Sequence, residues 1–510
     1  MPTPHDEETT NMLMQTLLAT TLLMSVATLP ASAEVTEAEL DAISIPDKVE
    51  TPIGTLEFFD GVPTGDTVQT VYDNLDRMRG LAVFLDNQGA ASIHAMRTGN
   101  ASIGADASSK FTITEQLLQP ESLYLTGNTS TLYALGYMDL KKEGPLVIEL
   151  PPGMLGFVDD AWFRFVENLG VIGPDKGKGG KYLMLPPDHQ GAVPEGYFIV
   201  RPDTYSNLVF LRASIKDGLA PAVENIKSKL RVYPLAKADN PPATEFVNFS
   251  GKSYNTVAPN DFSFFEGLNQ VVQEEPIDAI GPEARGLLAA IGIVKGQPFK
   301  PDARMKKLLN EAATIGNATA RAITYDPRIG GVYIYPDTDS AWTTAYADKN
   351  TSFESNGAMG LDARVLFYFN ATGVTPAMAA TTAGQGSDYA LAYVDADKKP
   401  FDGSKTYKLH LPKDVPVNDF WAVTLYDTQT RSMLQTGQKF PTVGSQSEGM
   451  TKNADGSYDV YFAPEAPKSK EGNWVQTVPG KSWFTILRMY GPLEPWINKT
   501  WRPGEIELVN

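Results

Sequence analysis

The chain has 510 residues, of which 42% are hydrophobic and 10% aromatic, so it contains enough apolar material for more than one hydrophobic core. Its net charge of −18 disfavours nucleic acid and anionic lipid surfaces as partners, because an acidic protein repels polyanions. The absence of cysteine excludes disulfides, thiolate metal sites and cysteine nucleophiles, and four histidines give little material for a multi-histidine metal site.

An apolar run over residues 12–33 ends in Ala31-Ser32-Ala33, the small-x-small pattern of a signal-peptide cleavage site. The run is short and interrupted by polar residues, so it predicts a cleaved signal peptide at 1–33 and a periplasmic or secreted protein. The residues before it are acidic instead of basic, and translation could start at Met1 or at Met12. An uncleaved anchor is the alternative. No second long apolar run follows, so we expect no membrane span after signal removal.

The first half of the mature chain changes from a loose segment to strands. Residues 34–66 are acidic and rich in Ala, Pro and Thr, which predicts a loose N-terminal segment, and helical apolar spacing predicts an amphipathic helix over 67–86. Short apolar runs bounded by Gly, Pro or Asp then predict strands at 122–140, 145–151, 162–171, 182–186, 196–200 and 207–215. We therefore predict an N-terminal β-sandwich domain over 67–235.

The middle of the chain predicts helices, and strands resume near Gly330. Apolar spacing predicts helices at 219–230, 262–274, 282–293 and 302–323, so residues 236–329 are expected to form a helical connector. Residues 405–411 alternate, with His410 predicted to point outward, and 420–427 and 483–491 show the same period of two. These runs predict a C-terminal β-sandwich domain over 330–510.

The predicted fold class is mainly β with a helical insert, a β-rich α+β fold. It consists of two jelly-roll-like antiparallel β-sandwich domains joined by the helical connector. Sandwich faces can also associate with each other, so a homo-oligomer is one expectation.

Contiguous catalytic and metal motifs are weak throughout. Residues 445–449 lack the leading Gly of a nucleophile elbow, and the Gly-rich run 176–181 lacks the spacing of a phosphate-binding loop. The pairs Asp337-x-Asp339 and Asp395-x-Asp397 lack the Gly and Glu of a calcium-binding hand, so we interpret them as turn caps. No cofactor motif is evident. A divalent cation such as calcium, held by residues far apart in sequence, stays open.

Motifs along most of the chain resemble two bacterial families of unknown function. The C-terminal part resembles domain of unknown function 1214 at 420–427, 483–491, Gly472-Asn473-Trp474, Thr500-Trp501-Arg502-Pro503, Asp362-x-Arg364 and Tyr389. The upstream part resembles its usual companion, domain of unknown function 1254, at Thr131-Leu132-Tyr133, Met138-Asp139-Leu140, 145–151, Gly180-Lys181-Tyr182 and 230–235. The resemblance implies tandem jelly-roll-like sandwiches in commonly exported proteins, but no activity. Relatives tend to carry an acidic residue where this chain has Ser130.

Polar residues within these motifs are the candidate functional residues, because burying a charge is costly unless it is paired. The candidates for a polar site between the two domains are Tyr133, Arg201, Asp203, Asp362, Arg364, Tyr426, Asp427, Asn473 and Arg488. Buried structural networks are the alternative role for them. Our leading hypothesis is a binding or assembly module for a small-molecule or carbohydrate ligand. The alternative is an extracytoplasmic hydrolase or lyase whose acidic, Tyr or Arg residues meet at the domain junction.

Overall fold

The computed structural model describes residues 35–509, so the predicted signal peptide at 1–33 lies outside the described residues. The described residues divide into two compact units, 35–75 and 76–509. In the first unit, Thr36 and Glu39 form a reciprocal capping box that starts helix α1, Glu37–Ile43. An antiparallel sheet follows, made of β1 Lys48–Thr51, β2 Gly54–Phe59 and β3 Val62–Pro63. A loose segment was expected over 34–66; within the described residues this stretch carries a capped helix and three short strands.

The remaining helices include all four predicted for the middle of the chain. In chain order they are α2 Gly65–Asp86, α3 Gln88–Ser102, α4 Leu140–Glu143, α5 Leu219–Lys229, α6 Ser263–Glu274, α7 Pro282–Ala290, α8 Ala303–Tyr325, α9 Leu361–Tyr368 and α10 Glu494–Ile497. Short 3-10 turns occupy Leu235–Lys237, Ile277–Ala279, Ala347–Lys349, Pro376–Met378 and Glu471–Asn473. Helices α3 and α9 were not predicted from the sequence.

The second unit contains the remaining strands, which fall on either side of the helical stretch. Before it come β4 Lys110–Ile113, β5 Ser122–Leu123, β6 Leu132–Asp139, β7 Leu146–Leu150, β8 Met154–Asp160, β9 Phe165–Gly170, β10 Gly180–Met184, β11 Phe198–Val200, β12 Ser206–Ala213, β13 Arg231–Pro234, β14 Glu245–Asn248 and β15 Tyr254–Asn255. After it come β16 Glu354–Ser355, β17 Ala358–Met359, β18 Ser387–Ala392, β19 Phe401–Asp402, β20 Tyr407–Leu411, β21 Val417–Asp427, β22 Thr442–Gly444, β23 Tyr458–Ala463, β24 Trp474–Gln476, β25 Ser482–Pro492 and β26 Ile506–Leu508.

The first sandwich packs a six-stranded sheet against a four-stranded one. Their strand orders are β14-β4-β6-β12-β8-β9 and β11-β10-β7-β13. Alternate side chains of both sheets share one core, to which β12 contributes Val209 and Leu211 and β7 contributes Ile148. The intervening β12 residues, Leu208 and Phe210, are also buried but face away from that core, in a separate cluster. The large sheet is therefore covered on both faces.

The second sandwich has the same arrangement. Its sheets follow the orders β18-β25-β21-β22, with β19 paired to β25, and β24-β23-β20-β26. Leu487, Met489 and Val423 face the core between these sheets, whereas Ile486 and Tyr426 face away from it and are equally buried. On β20, Leu409 is buried and His410 is partly exposed beside Asp459, as the alternation predicted.

The two sandwiches meet through the outer faces of their large sheets. One buried cluster joins Leu208 and Phe210 of the first sandwich with Tyr393, Phe484 and Ile486 of the second. We call these two facing surfaces the junction faces. Helices α2, α3, α6, α7 and α8 share a further core, so the predicted connector packs with helices that precede the first sandwich.

The β-rich α+β fold class is confirmed. Parallel pairs occur at the outer strands β11, β14 and β24 and between β5 and β15, which the antiparallel prediction did not foresee. Parallel neighbours need a long connection, and each pair is joined by one. Across residues 35–509, no helix combines the length and apolar character needed to cross a bilayer.

Candidate functional site

A cavity of about 90 Å³ lies between the junction faces. Strands of both sandwiches and the segment that precedes β18 form its wall. The lining residues are Thr126, Asn128, Tyr133, Phe157, Phe210, Arg212, Ala345, Tyr346, Leu366, Phe367, Asn370, Ala371, Thr372, Gly373, Met378, Tyr389, Leu391, Tyr393, Ile486 and Arg488. This inter-domain cavity combines an aromatic wall with two guanidinium groups, and the described residues that line it include no Asp, Glu or His.

Strand register brings the polar residues of the first sandwich together. Arg212 on β12 lies directly opposite Tyr133 on β6, so both side chains emerge on the junction face. The Tyr133 hydroxyl accepts hydrogen bonds from the backbone N–H and the side-chain amide of Asn128. These contacts hold the Tyr133 phenol against the loop that carries Thr126 and Asn128.

The second sandwich adds Tyr389 and Arg488 by the same rule. Tyr389 on β18 is the register partner of Arg488 on β25, so the two side chains are neighbours on the junction face. The Arg488 guanidinium lies 5.7 Å from the centroid of the Tyr389 ring. The hydroxyl oxygens of Tyr389 and Ser387 are 3.2 Å apart.

Arg488 also connects the two sandwiches. Its Nη1 donates to the Tyr426 hydroxyl at 2.5 Å and its Nη2 donates to the carbonyl oxygen of Thr126 at 2.7 Å. The Tyr426 hydroxyl donates in turn to the carbonyl oxygen of Gly127 at 2.7 Å. Burial alone would lower the pKa of Arg488, but the neighbouring tyrosine oxygens, chiefly that of Tyr426, raise it above its usual value. Arg488 is therefore a fixed cation.

Arg212 interacts with Tyr389 and with two further tyrosines. Burial acts to lower the pKa of Arg212, but the oxygens of Tyr389, Tyr133 and Tyr490 together outweigh burial and raise that pKa. Within residues 35–509, neither Arg212 nor Arg488 forms a salt bridge with a carboxylate. The cavity wall thus carries two positive charges that no carboxylate among these residues neutralises.

One buried carboxyl lies on the same junction face. Asp159 on β8 accepts a hydrogen bond from the Val374 backbone N–H at 2.9 Å. Burial raises the pKa of Asp159 well above its usual value, so the neutral acid is favoured. The raised pKa of Asp159 therefore opposes a negative charge on this junction face.

Of the nine residues predicted to form a site between the domains, Tyr133, Tyr426 and Arg488 are brought together. The other six lie elsewhere. Arg201 and Asp203 are exposed, and Asp203 is 3.8 Å from Arg164. Asp362 is exposed in the first turn of α9, and Arg364 pairs with Asp86 at 2.6 Å.

The last two of these six residues have local structural roles in the second sandwich. Asp427 pairs with Lys481 at 2.5 Å and accepts from the Gln429 backbone N–H at 2.7 Å. Asn473 accepts from the Thr451 backbone N–H and donates to the carbonyl oxygen of Asp459. Both therefore stabilise turns, the alternative role considered for the predicted residues.

Arg212 and Tyr389 also line the cavity and were not among the residues predicted for it. Arg212 could have been identified from the alternation of side chains along β12. It lies on the same side of the strand as Leu208 and Phe210, opposite to the residues of the sandwich core. An arginine in phase with buried aromatic residues indicates a second packed face.

The described side chains do not form a metal site of the kind considered from the sequence. Residues 35–509 contain no group of three or more His, Asp or Glu side chains placed to hold a metal ion. The Asp395 carboxylate accepts from the backbone N–H groups of Asp397 and Lys399, so it caps a turn as predicted. His94 packs on α3, where burial lowers its pKa to about 4.

Comparisons with known proteins assign the two sandwiches to families. Residues 109–234 match the model of a protein of unknown function, DUF1254, and residues 386–494 match that of another, DUF1214. The chain carries a DUF1254 domain followed by a DUF1214 domain. This tandem order confirms the predicted resemblance. Arg212 and Tyr133 belong to the DUF1254 domain, and Tyr389 and Arg488 to the DUF1214 domain, so both matched domains contribute to the cavity.

Two solved structures are similar to this chain over most of its length. The VPA0106 protein from Vibrio parahaemolyticus is 17% identical, with a TM-score of 0.51, over 85% of this chain and 100% of its own. An uncharacterized protein from Burkholderia cenocepacia is 13% identical, with a TM-score of 0.39, over 87% of this chain and 97% of its own. The likeness to the Vibrio protein concerns the fold alone. No curated protein matches the sequence significantly.

Proposed function

We propose that this DUF1254–DUF1214 chain is an exported binding protein of two jelly-roll-like domains that holds a small organic anion in the inter-domain cavity. The observation that carries the proposal is the pair Arg212 and Arg488 in the cavity wall without a carboxylate partner among the described residues. Arg488 is buried and Arg212 is half-buried. Shielding a cation from water without a counter-charge costs free energy, and a bound anion would recover part of that cost.

The shape and chemistry of the wall indicate a carboxylate with a short apolar body. Arginine presents paired N–H donors that match the two oxygens of a carboxylate. Phe157 and Phe210, stacked with their centroids 5.0 Å apart, supply apolar surface away from the guanidinium groups. The volume of about 90 Å³ is smaller than the roughly 150 Å³ cavity that accepts benzene. Acids of about two to four carbons therefore fit best.

A ligand titration followed by thermal unfolding tests the proposal. Wild-type protein is titrated with propionate or pyruvate, and with propionamide as a neutral control of similar size. We expect stabilisation by the acids only, reaching about 2.7 kcal/mol at a hundred times Kd. An equal response to propionamide, or none to any acid, would contradict the proposal.

The arginine requirement is tested with a matched pair of variants. Arg212→Gln should weaken pyruvate binding about tenfold to a hundredfold, because a charge-assisted hydrogen bond contributes about 1.5–3 kcal/mol. Arg328→Gln removes the same charge from an exposed position outside the cavity and should leave Kd unchanged. Isothermal titration calorimetry measures both, and equal losses in the two variants would show that only net charge matters.

Export belongs to the same proposal and has a separate test. The supporting observation is the apolar run that ends in Ala31-Ser32-Ala33. We expect the mature protein in the extracytoplasmic fraction to begin at Glu34. Intact-mass spectrometry of that fraction decides the point, and retention of residues 12–33 would overturn the cleaved signal peptide.

A further inference from the structure

The Tyr389 phenol has surroundings that a structural tyrosine does not require. It forms part of the cavity wall, next to the ligand space, with Arg212 across the domain junction and Arg488 on the neighbouring strand. The hydroxyl of Ser387, 3.2 Å away, can donate a hydrogen bond to the phenol oxygen. A phenol that shares a cavity wall with two cations and has a hydroxyl donor at its oxygen is arranged to carry negative charge.

We propose that Tyr389 is a general base that removes a proton from the carbon beside the ketone of a small 2-oxo acid held by Arg212 and Arg488. The inference rests on the proposed anion site and extends it from binding to catalysis. It assigns the cavity a proton-transfer reaction, the first step of a lyase or isomerase.

The electrostatics of the site agree with this geometry. Burial acts to raise the pKa of Tyr389, but the charge of Arg212, the Ser387 hydroxyl and the charge of Arg488 together outweigh it and lower that pKa. A Tyr389 phenolate beside two guanidinium groups leaves one net positive charge. One substrate carboxylate balances that charge, which is why a monoanionic acid is the class we select.

The step can be written with atoms and charge conserved. A C–H bond of the 2-oxo acid breaks and its proton forms an O–H bond with the Tyr389 phenolate. The electron pair moves into a carbon–carbon double bond, and the negative charge moves to the former ketone oxygen. The guanidinium groups stabilise this enolate, because fixed donors act most strongly on charge that develops in a site of low dielectric. Return of a proton to carbon regenerates both partners.

Hydrogen exchange on pyruvate tests the step directly. Full-length protein is incubated with pyruvate in deuterium oxide, and loss of the methyl proton signal is followed by NMR. Wild type should accelerate exchange above the protein-free rate. Tyr389→Phe should slow it about a hundredfold, the usual contribution of a positioned base, while calorimetry still shows pyruvate binding within about threefold of wild type. The control variant Tyr461→Phe, changed on β23 outside the cavity, should catalyse exchange of the pyruvate methyl protons at the wild-type rate.

A spectroscopic titration gives an independent readout. The ultraviolet absorbance of tyrosinate should show one tyrosine of wild type ionising before the others. That early step should be absent in Tyr389→Phe and should move to higher pH in Arg212→Gln, which keeps the tyrosine if the first variant fails to fold.

The outcomes separate this inference from the proposed function. Pyruvate binding without exchange in wild type would overturn the general base and leave the anion site in place. Exchange that persists in Tyr389→Phe would exclude Tyr389 as the base. Absence of binding by any acid would overturn both.

Discussion

Glu275, the residue after α6, is buried at the point where the helical layer meets the first sandwich. Its carboxylate accepts from the backbone N–H groups of Tyr205 at 2.6 Å and Ser206 at 3.1 Å. Burial raises the pKa of Glu275 to about 7 even though these hydrogen bonds act to lower it. In the unfolded chain the same group has a pKa near 4.3.

This difference predicts a pH-dependent stability. Because the folded state holds the proton more tightly, the contribution of Glu275 is fully present below about pH 4.3 and is lost as pH rises through about 7. Glu275→Gln removes the titrating group and keeps one of the two acceptor oxygens, so it should lack the loss of about 1–3 kcal/mol in free energy of unfolding that wild type shows from pH 5 to pH 8. Urea unfolding from pH 5 to pH 8 measures the difference. Glu266→Gln changes an exposed residue of α6 and leaves Glu275 in place, so its stability should follow the wild-type pH dependence.

Single residues of the site were predictable where a motif marked them, as with Tyr133, Tyr426 and Arg488. Arg212 was not, because its function depends on which face of β12 meets the other domain. The alternation of side chains in β12 places Arg212 and Phe210 on one face of the strand. That face becomes a cavity wall only because the second sandwich packs against it. Arg364 and Asp427 resembled site residues in the sequence. A charged residue that stabilises a turn or an ion pair stands in the same kind of motif as a charged residue of a functional site.

At the scale of elements, helix α8 depends on a close approach to α2. A methyl group at Gly316 would lie 2.3 Å from the ring of Phe84, which is fully buried. Gly316→Ala should therefore destabilise the protein by about 1–3 kcal/mol through overpacking. Gly286→Ala, on α7 with open space around it, should instead stabilise by about 0.5–1 kcal/mol through helix propensity. Chemical denaturation of both variants checks the opposite signs, and a gain at Gly316 would contradict the packing argument.

Strands were predictable from the sequence where only one of their faces is buried. They were less predictable where both faces are buried. The period of two in β20 identified that strand correctly, whereas β6, β12 and β25 are buried on both faces and their alternation hides a second interface. Helix α3 was missed because small residues such as Gly89 and Ala91 form most of its buried face, and only Ile93 and Met96 give large apolar side chains at helical spacing. Helix α9 was missed because aromatic and β-branched residues favour strands.

For the whole of residues 76–510, the shared cluster at the junction faces predicts that the two sandwiches unfold together. Phe484 belongs to this cluster and has no exposed surface, with Tyr393 and Tyr426 each 5.0 Å away between ring centroids. Separating the sandwiches would expose this aromatic surface to water, at a cost that grows by about 25 cal/mol for each Å² exposed. Unfolding one sandwich alone would therefore destabilise the other.

Calorimetry of the full chain tests this coupling with one large-to-small substitution in each sandwich core. Phe111→Ala empties a fully buried position in the first core and Phe462→Ala does so in the second, and each should cost about 3–5 kcal/mol. Both variants should lower the temperature of the same endotherm, because neither sandwich survives without the other. Two endotherms, each shifted by only one of the variants, would show that the sandwiches unfold independently. A cavity between independent domains would also open more readily, so this outcome would predict faster release of pyruvate.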